Sequence, residues 1–199
     1  MRNSSEILKS AIGTATTTLR SIVDLESEIT KASDLIADCL TSRKKVLACG
    51  NGGSAADAAD FCTELACRFV EDRRPYPALN LSQGGSLITA TGNDYGFEKV
   101  FARQVAGLGR AGDVFIAIST SGRSPNVLAA LRVAEEIGIK TVGFTGSNNS
   151  GMRALCDLCL CAPSAETPQI QQIHIVAAHA ICGLVEQDLL GRWAKQGPV

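Results

Sequence analysis

Two stretches of this chain share one local pattern, and that pattern limits the folds open to it. In each, a short apolar run of strand character breaks at a turn of small residues and enters a segment of good helix propensity. The first stretch is residues 45–60, and the second begins at residue 113. Further strand-like runs continue the alternation at residues 77–82, 140–145 and 158–162. Strands that alternate with helices pair in parallel through right-handed crossovers, so the sequence predicts a three-layer, doubly wound α/β fold with a parallel five-stranded sheet.

Helical spacing of apolar residues covers much of the chain outside the strands. It predicts two N-terminal helices, from about residue 4 to residue 40, with a break near residues 21–25. Later helices are expected at residues 54–70, 86–91, 125–137 and 168–190, with a turn at 92–96 and a polar tail from Gly191. The length of 199 residues and the 45% hydrophobic content predict a single domain over residues 1–199. Within it, residues 1–42 form the helical pair, which is free to pack on the sheet or on another subunit.

The charge pattern argues against several classes of function. The formal net charge is −1 and no long basic run occurs, so a nucleic-acid or anionic-membrane surface is not expected. The first twenty residues carry charges without a long apolar core, and no later stretch offers about 18 uninterrupted apolar residues. We therefore expect a cytoplasmic protein that binds neither nucleic acid nor membranes.

Eight cysteines are many for this length. In the absence of a secretory signal they are predicted to be reduced core residues, among them Cys49, Cys62, Cys67 and Cys182. The group Cys156, Cys159 and Cys161 contains a Cys-x-x-Cys spacing, but no second pair follows at zinc-finger spacing. A core role is therefore preferred over a metal or redox role for this group.

The first turn, residues 50–54, has the composition of a turn that contacts a ligand. Its glycines, at positions 50, 52 and 53, permit backbone angles and close approaches that side chains block. Ser54 is expected to cap the next helix and to offer a hydroxyl. The spacing matches neither a dinucleotide fingerprint nor a Walker motif, and a simple strand-to-helix connection is the alternative.

The second turn, residues 119–124, is rich in hydroxyls and lies before Pro125, a favoured first residue of a helix. Hydroxyls and backbone N–H groups at a helix N-terminus form a cradle suited to phosphate. The hydroxyls belong to Ser119, Thr120, Ser121 and Ser124. The alternative is a turn in which serines serve only local hydrogen bonds, with Arg123 in solvent.

Acid/base residues are predicted on two helices. Asp60 and Glu64 are four residues apart, so both carboxylates point the same way, although such groups are commonly surface residues favoured by the helix dipole. The only two histidines, His174 and His179, differ by about 140° around the last helix and cannot easily share one site. Gln171 and His179 can converge on one ligand.

Four blocks of this sequence, taken together, resemble the sugar isomerase (SIS) domain proteins and, within them, the bacterial phosphoheptose isomerases. The blocks are residues 50–54, 92–94 and 119–124, and Ile170-Gln171 followed by His179. They occur in the family's order, and the resemblance extends over nearly the whole chain, including the two N-terminal helices. It implies a flavodoxin-like SIS fold.

The resemblance implies an aldose–ketose isomerase that interconverts sedoheptulose 7-phosphate and D-glycero-D-manno-heptose 7-phosphate through an enediol. This reaction is the entry to heptose synthesis for lipopolysaccharide or related glycans. By position in the family pattern, Glu64 is the base and His179 the acid. The hydroxyls of Ser119, Thr120, Ser121 and Ser124 would hold the phosphate. The other substrate-binding residues would be Asn51, Gly52, Gly53, Ser54, Asn93, Asp94 and Gln171.

Many members of the family bind zinc through His, Glu, Gln and a second His. Glu64, Gln171 and His179 match three of these positions, and Asp60 replaces the first His. An oxygen ligand can still bind zinc, so Zn²⁺ is an expected cofactor with these four residues as its ligands. Members are typically homotetramers with sites at subunit boundaries, and the same assembly is expected here.

Two alternatives stay open. One is a non-catalytic SIS protein, either a sugar-phosphate sensor or a replication-initiator-binding protein, which keeps the fold but lacks the acid/base pair. Glu64 together with His179 favours the enzyme. The other is an isomerase of the same chemistry that acts on a different sugar phosphate, although hexosamine-phosphate members usually have paired domains or extra segments.

Overall fold

The computed structural model describes residues 3–148 and 151–194, and the described strands form one five-stranded sheet. The strand order is β2-β1-β3-β4-β5 and every pair is parallel, which confirms the predicted doubly wound α/β fold. The strands are β1 (Val46–Gly50), β2 (Ala78–Asn80), β3 (Val114–Ile118), β4 (Lys140–Thr145) and β5 (Leu158–Cys161).

In the part of the chain that the structure describes, two α-helices precede the sheet and five follow its first strand. A 3₁₀ turn at Ser21–Leu25 separates the first two, where the sequence predicts a break. The helices are α1 (Ser4–Arg20), α2 (Glu26–Thr41), α3 (Gly53–Ala66), α4 (Gly85–Tyr95), α5 (Ala102–Leu108), α6 (Pro125–Ile137) and α7 (Thr167–Ala194). Residues 195–199 of the expected polar tail lie outside the described residues, and Gly191 is still helical.

Helices cover both faces of the sheet, since alternate residues of a strand point to opposite sides. Val46 and Ala48 of β1 pack in one core with α2, α3 and α7. Leu47 and Cys49 pack in a second core with α5 and α6. All five residues of β1 are buried, so the strand shows the continuous apolar run typical of a central parallel strand.

Several predicted boundaries are wrong, each for a local reason. Helix α3 ends at Ala66 rather than near residue 70, because the Arg73 guanidinium donates to carbonyls in its last turn. Helix α4 continues through residues 92–94, where a turn was predicted, and stops at Gly96, whose φ is +87°. Helix α5 was not predicted at all; it is only seven residues long. Cys67 is exposed rather than in the core, while all eight cysteines are free.

Helix α7 is long and apolar enough over Thr167–Arg192 to cross a membrane, with a mean hydropathy of 1.3. Half of the most apolar 18-residue segment of this helix is buried within the protein. Ile173, Ile181 and Val185 belong to the same core as the sheet. We interpret α7 as a core helix of a globular fold.

Candidate functional site

The two turns singled out in the sequence are neighbours at one edge of the sheet. Strands β1 and β3 pair in register from Val46 with Val114 to Gly50 with Ile118, so their carboxyl ends lie side by side. Each strand then leads through its turn into a helix, α3 or α6. Ligands of open parallel sheets bind at this edge, and the helix N-termini favour an anion there.

In the first turn the glycines have distinct roles. Gly52 has a φ of +56°, which disfavours any other residue. Gly53 lies directly against the Gln171 amide of α7, and a Cβ at position 53 would overlap that amide. The predicted cap at Ser54 is wrong, because Gly52 occupies the N-cap position and Ser54 is buried inside the first turn of α3. Two predicted substrate-binding residues, Gly53 and Gln171, are therefore in contact.

A pair of amides ties the first turn to the second. The Asn51 amide nitrogen donates to Asn126 Oδ1, and the Asn126 amide nitrogen donates back to Asn51 Oδ1, each over 2.9 Å. Asn126 is buried in the first turn of α6. Each Asn51 group keeps part of its hydrogen-bonding capacity for a ligand. Asn51 therefore fixes the spacing between the two turns.

In the second turn the hydroxyls form a small network. Ser119 Oγ lies 2.9 Å from Ser124 Oγ and 3.4 Å from Ser121 Oγ. The order Ser124-Pro125 is also a typical helix start in which the serine caps the helix. Ser124 does occupy the N-cap position of α6, but its side chain makes no cap hydrogen bond, so that capping role is wrong. The hydroxyl cluster therefore lies at the start of α6, as the predicted phosphate cradle requires.

A small cavity of about 100 Å³ opens beside this cradle. Thr120, Ser121 and Arg123 form one side of it. The opposite wall comes from Asn148, Ser164, Ala165, Thr167 and Ile170. The start of α7 therefore completes a polar pocket, in which Arg123 is the only charged lining residue among those described.

Helices α3 and α7 face each other above the end of β1. Nε2 of His179 lies 2.9 Å from Oδ2 of Asp60, and both side chains are about two-fifths exposed. Glu64 lies one turn further along α3 and is partly exposed. Asp57 lies about one turn earlier, where burial and the Asp60 charge raise its pKa to about 6. The arrangement places an imidazole among carboxylates, which suits proton transfer.

Two of the four predicted zinc ligands, Asp60 and His179, contact each other directly. Oδ2 of Asp60 faces Nε2 of His179, so these two ligands bond to each other. Within residues 3–148 and 151–194, no group of three or more His, Cys, Asp or Glu side chains is arranged to hold a metal ion. Zinc binding stays a prediction, and no step below depends on it.

The remaining predicted residues have other neighbours. Asn93 and Asp94 lie near the end of α4, where both are exposed and the Asn93 amide donates to Asp94 Oδ1 over 2.8 Å. His174 is buried, with Nε2 3.2 Å from the Thr145 carbonyl, and burial lowers its pKa to about 4. The two histidines thus occupy different environments, as their spacing predicts.

The cysteine group lies away from both turns, at strand β5. Cys161 Sγ is 3.8 Å from Cys159 Sγ, and a Cβ at Gly143 would contact the sulfurs of Cys156 and Cys159. Hydrogen bonding with Cys156 and burial raise the pKa of Cys159. All three cysteines of this group are partly buried and free, consistent with the preferred packing role.

Sequence reasoning missed residues that support the site from a distance. Asn126 was not singled out, although an amide beside Pro125 in an apolar helix is a weak signal. Phe69 lies 5.7 Å from His179, measured between ring centroids, and no local pattern indicates that contact. The buried ion pair of Arg73 with Glu186 is also invisible in the sequence, because 113 residues separate the two.

The parallel sheet and its two adjoining turns define an α/β fold with a candidate anion site at the carboxyl edge of the strands. The SIS domain family profile matches residues 12–146. A phosphoheptose isomerase of Rhodospirillum rubrum is 48% identical over 166 residues, which is 83% of this chain and 88% of the relative. A phosphoheptose isomerase of a Bradyrhizobium species is 54% identical over 155 residues, which is 78% of each chain.

Solved structures are similar over nearly the whole chain. The phosphoheptose isomerase of Neisseria gonorrhoeae has a TM-score of 0.88 at 36% identity, and the match covers 93% of this chain and all of that one. This chain therefore belongs to the SIS domain family and, within it, to the phosphoheptose isomerases.

Proposed function

We propose that this protein interconverts sedoheptulose 7-phosphate and D-glycero-D-manno-heptose 7-phosphate, a step of heptose synthesis for glycans such as lipopolysaccharide. Its family makes it an aldose–ketose isomerase. The main structural support for the location of the reaction is that α3 and α7 lie against each other. There His179 contacts Asp60 with Glu64 one turn away, beside a hydroxyl-lined turn suited to phosphate.

The reaction needs a base at carbon and an acid at oxygen. The Glu64 carboxylate takes a proton from C1 of the ketose while His179 gives a proton to the C2 carbonyl oxygen, which forms the enediol. The protonated Glu64 then returns a proton to C2, and His179 takes the proton from the C1 hydroxyl as the aldehyde forms. Protons and electron pairs balance without a redox partner.

Asp60 is proposed to orient the acid. Its carboxylate contacts Nε2 of His179, so Nδ1 is the ring nitrogen that Asp60 does not touch. A carboxylate that bonds one nitrogen of an imidazole holds the ring in place and sets its tautomer. Asp60 therefore has a role here that does not require a metal.

Substrate contacts follow from the two turns. The hydroxyls of Ser119, Ser121 and Ser124, together with Thr120, would bind the phosphate, and Arg123 at the cavity wall would add charge. The sugar hydroxyls would contact Asn51, Gly52, Gly53, Ser54, Gln171, Asn93 and Asp94.

Assembly and location are proposed in the same way. Helix α1 has no buried residue, and its Ile7, Leu8 and Ile12 are more than half exposed. Exposed apolar side chains along one helix support burial against other subunits, so we propose a cytoplasmic homotetramer with sites at subunit boundaries. Light scattering after gel filtration measures the subunit number directly.

The decisive experiment is incubation of the metal-analysed protein with sedoheptulose 7-phosphate in deuterated water, followed by NMR, with zinc or with a chelator. We expect aldose product that carries deuterium at C2, because the enediol exchanges with solvent. The chelator arm shows whether a metal is required. Binding of the sugar phosphate without product or exchange in any arm would instead favour a sensor or interaction protein.

A further inference from the structure

One buried carboxylate holds the loop that follows α3, residues 67–75, which we name the clamp loop. Glu186 of α7 accepts hydrogen bonds from the backbone N–H groups of Phe69, Val70 and Glu71 over 3.0–3.1 Å. Its side chain is 3% exposed. Burial alone would raise the pKa of Glu186, but these bonds and Arg73 lower it, so the group remains a carboxylate.

Arg73 joins this carboxylate to the end of α3. Its Nε donates to Glu186 over 2.8 Å, and a terminal nitrogen donates to the backbone carbonyl of Glu64 over 2.7 Å. The other terminal nitrogen donates to the carbonyls of Leu65 and Cys67 over 3.0 and 3.4 Å. The guanidinium thus caps the carboxyl end of the helix at the residue proposed as the base.

The same loop also reaches the proposed acid. The Phe69 ring packs against the His179 ring, with the two planes inclined by 39°. Gly183, one turn beyond His179, provides the space, since a Cβ there would lie 3.3 Å from the Phe69 ring. The Phe69 N–H is one of the three bonds to Glu186. The Arg73–Glu186 ion pair is therefore connected to both proposed acid/base residues. Arg73 bonds the Glu64 carbonyl, and Glu186 bonds the backbone of Phe69, whose ring packs on His179.

We propose that Arg73, Glu186 and Phe69 are positioning residues for proton transfer: the ion pair holds the end of α3 that carries Glu64, and Phe69 holds the His179 ring. Proton transfer requires heavy atoms about 2.6–3.2 Å apart, and displacement by about 1 Å costs about 100-fold in rate. This inference rests on the proposed isomerase function for its kinetic part only.

The first test uses NMR and needs no activity. The chain has only two histidines, so ¹³C-labelled histidine gives two ring signals, and His179→Asn identifies which one is His179. In Phe69→Leu we expect the His179 signal to move through loss of the aromatic ring current, while the His174 signal stays in place. A His179 signal that does not move in Phe69→Leu would overturn the packing part of the proposal.

The second test is kinetic. We expect Phe69→Leu to lower kcat roughly 10- to 100-fold, with KM within about twofold of the wild-type value. Phe69→Tyr keeps the aromatic ring and should retain most of the wild-type kcat. Glu186→Gln should lower kcat in the same direction, since it weakens the bonds to Arg73 and to the clamp loop.

A matched control separates positioning from general stability. Phe115→Leu makes the same change in the core on the opposite face of the sheet, where Phe115 is buried. It should lower the thermal midpoint and leave kcat per folded enzyme unchanged. If folded Phe69→Leu retains wild-type kcat, the positioning role is excluded. If the wild type shows no isomerase activity, the proposed function fails, while the NMR experiment still decides whether Phe69 holds His179.

Discussion

The two strand–turn–helix units of this protein look alike in sequence and differ in their chemistry. In the unit of β1 and α3, the turn supplies space and backbone, and the ionisable groups lie on the helix face toward α7. In the unit of β3 and α6, the turn itself carries the hydroxyls. Because the strands are in register, the two units present these groups side by side. Under the proposed function, proton transfer would belong to the unit of β1 and α3, and phosphate binding to the unit of β3 and α6.

The largest effect should come from the helix of the first unit. Glu64→Gln should lower kcat by about 10²–10⁴-fold with little change in KM, because an amide cannot accept the proton from C1. Steady-state kinetics on the folded variant measures this. Glu135→Gln makes the same change on the exposed face of α6, in the second unit, and should leave kcat unchanged. Equal losses in both variants would contradict the division of roles.

A smaller effect is expected from the turn of the second unit. Ser124→Ala should raise KM for sedoheptulose 7-phosphate about tenfold and change kcat little, since a hydrogen bond to a charged group contributes about 1.5–3 kcal/mol. The inhibition constant of inorganic phosphate should rise in parallel. Ser42→Ala, at an exposed site after α2, is the control. A fall in kcat with unchanged KM would place Ser124 in the chemical step instead.

The smallest effect concerns stability, and it sharpens the contrast between the two histidines of α7. Burial lowers the folded-state pKa of His174 from 6.5 to about 4. The unfolded chain therefore binds the extra proton first, and stability present above pH 6.5 is lost as pH falls toward 4. Between pH 7 and 5.5 the loss should be about 1 kcal/mol. Urea unfolding at several pH values measures the slope, which should flatten in His174→Asn; an unchanged slope would assign it to other groups.

Local patterns predicted much of the fold. The break between α1 and α2, the bounds of β4 and the end of α6 at Ile137 match the predicted positions, since apolar periodicity and Pro125 mark them locally. Predictions failed where a distant group decides the boundary, as Arg73 does for α3. They also failed where composition misleads, as at residues 92–94, which are helical despite their turn-like sequence.

For the candidate site, the sequence alone determined the two turns and the carboxylates on one face of α3. It also determined that His174 and His179 point to different sides of α7. Residue spacing within a single helix or turn is enough to decide each of these features. Only the tertiary structure decided which partners meet. Asp60 and His179 are 119 residues apart, and Asn51 and Asn126 are 75 apart. Contacts of this kind depend on how helices cross the sheet and on which side chains fill the space between them, and neither is encoded in local periodicity.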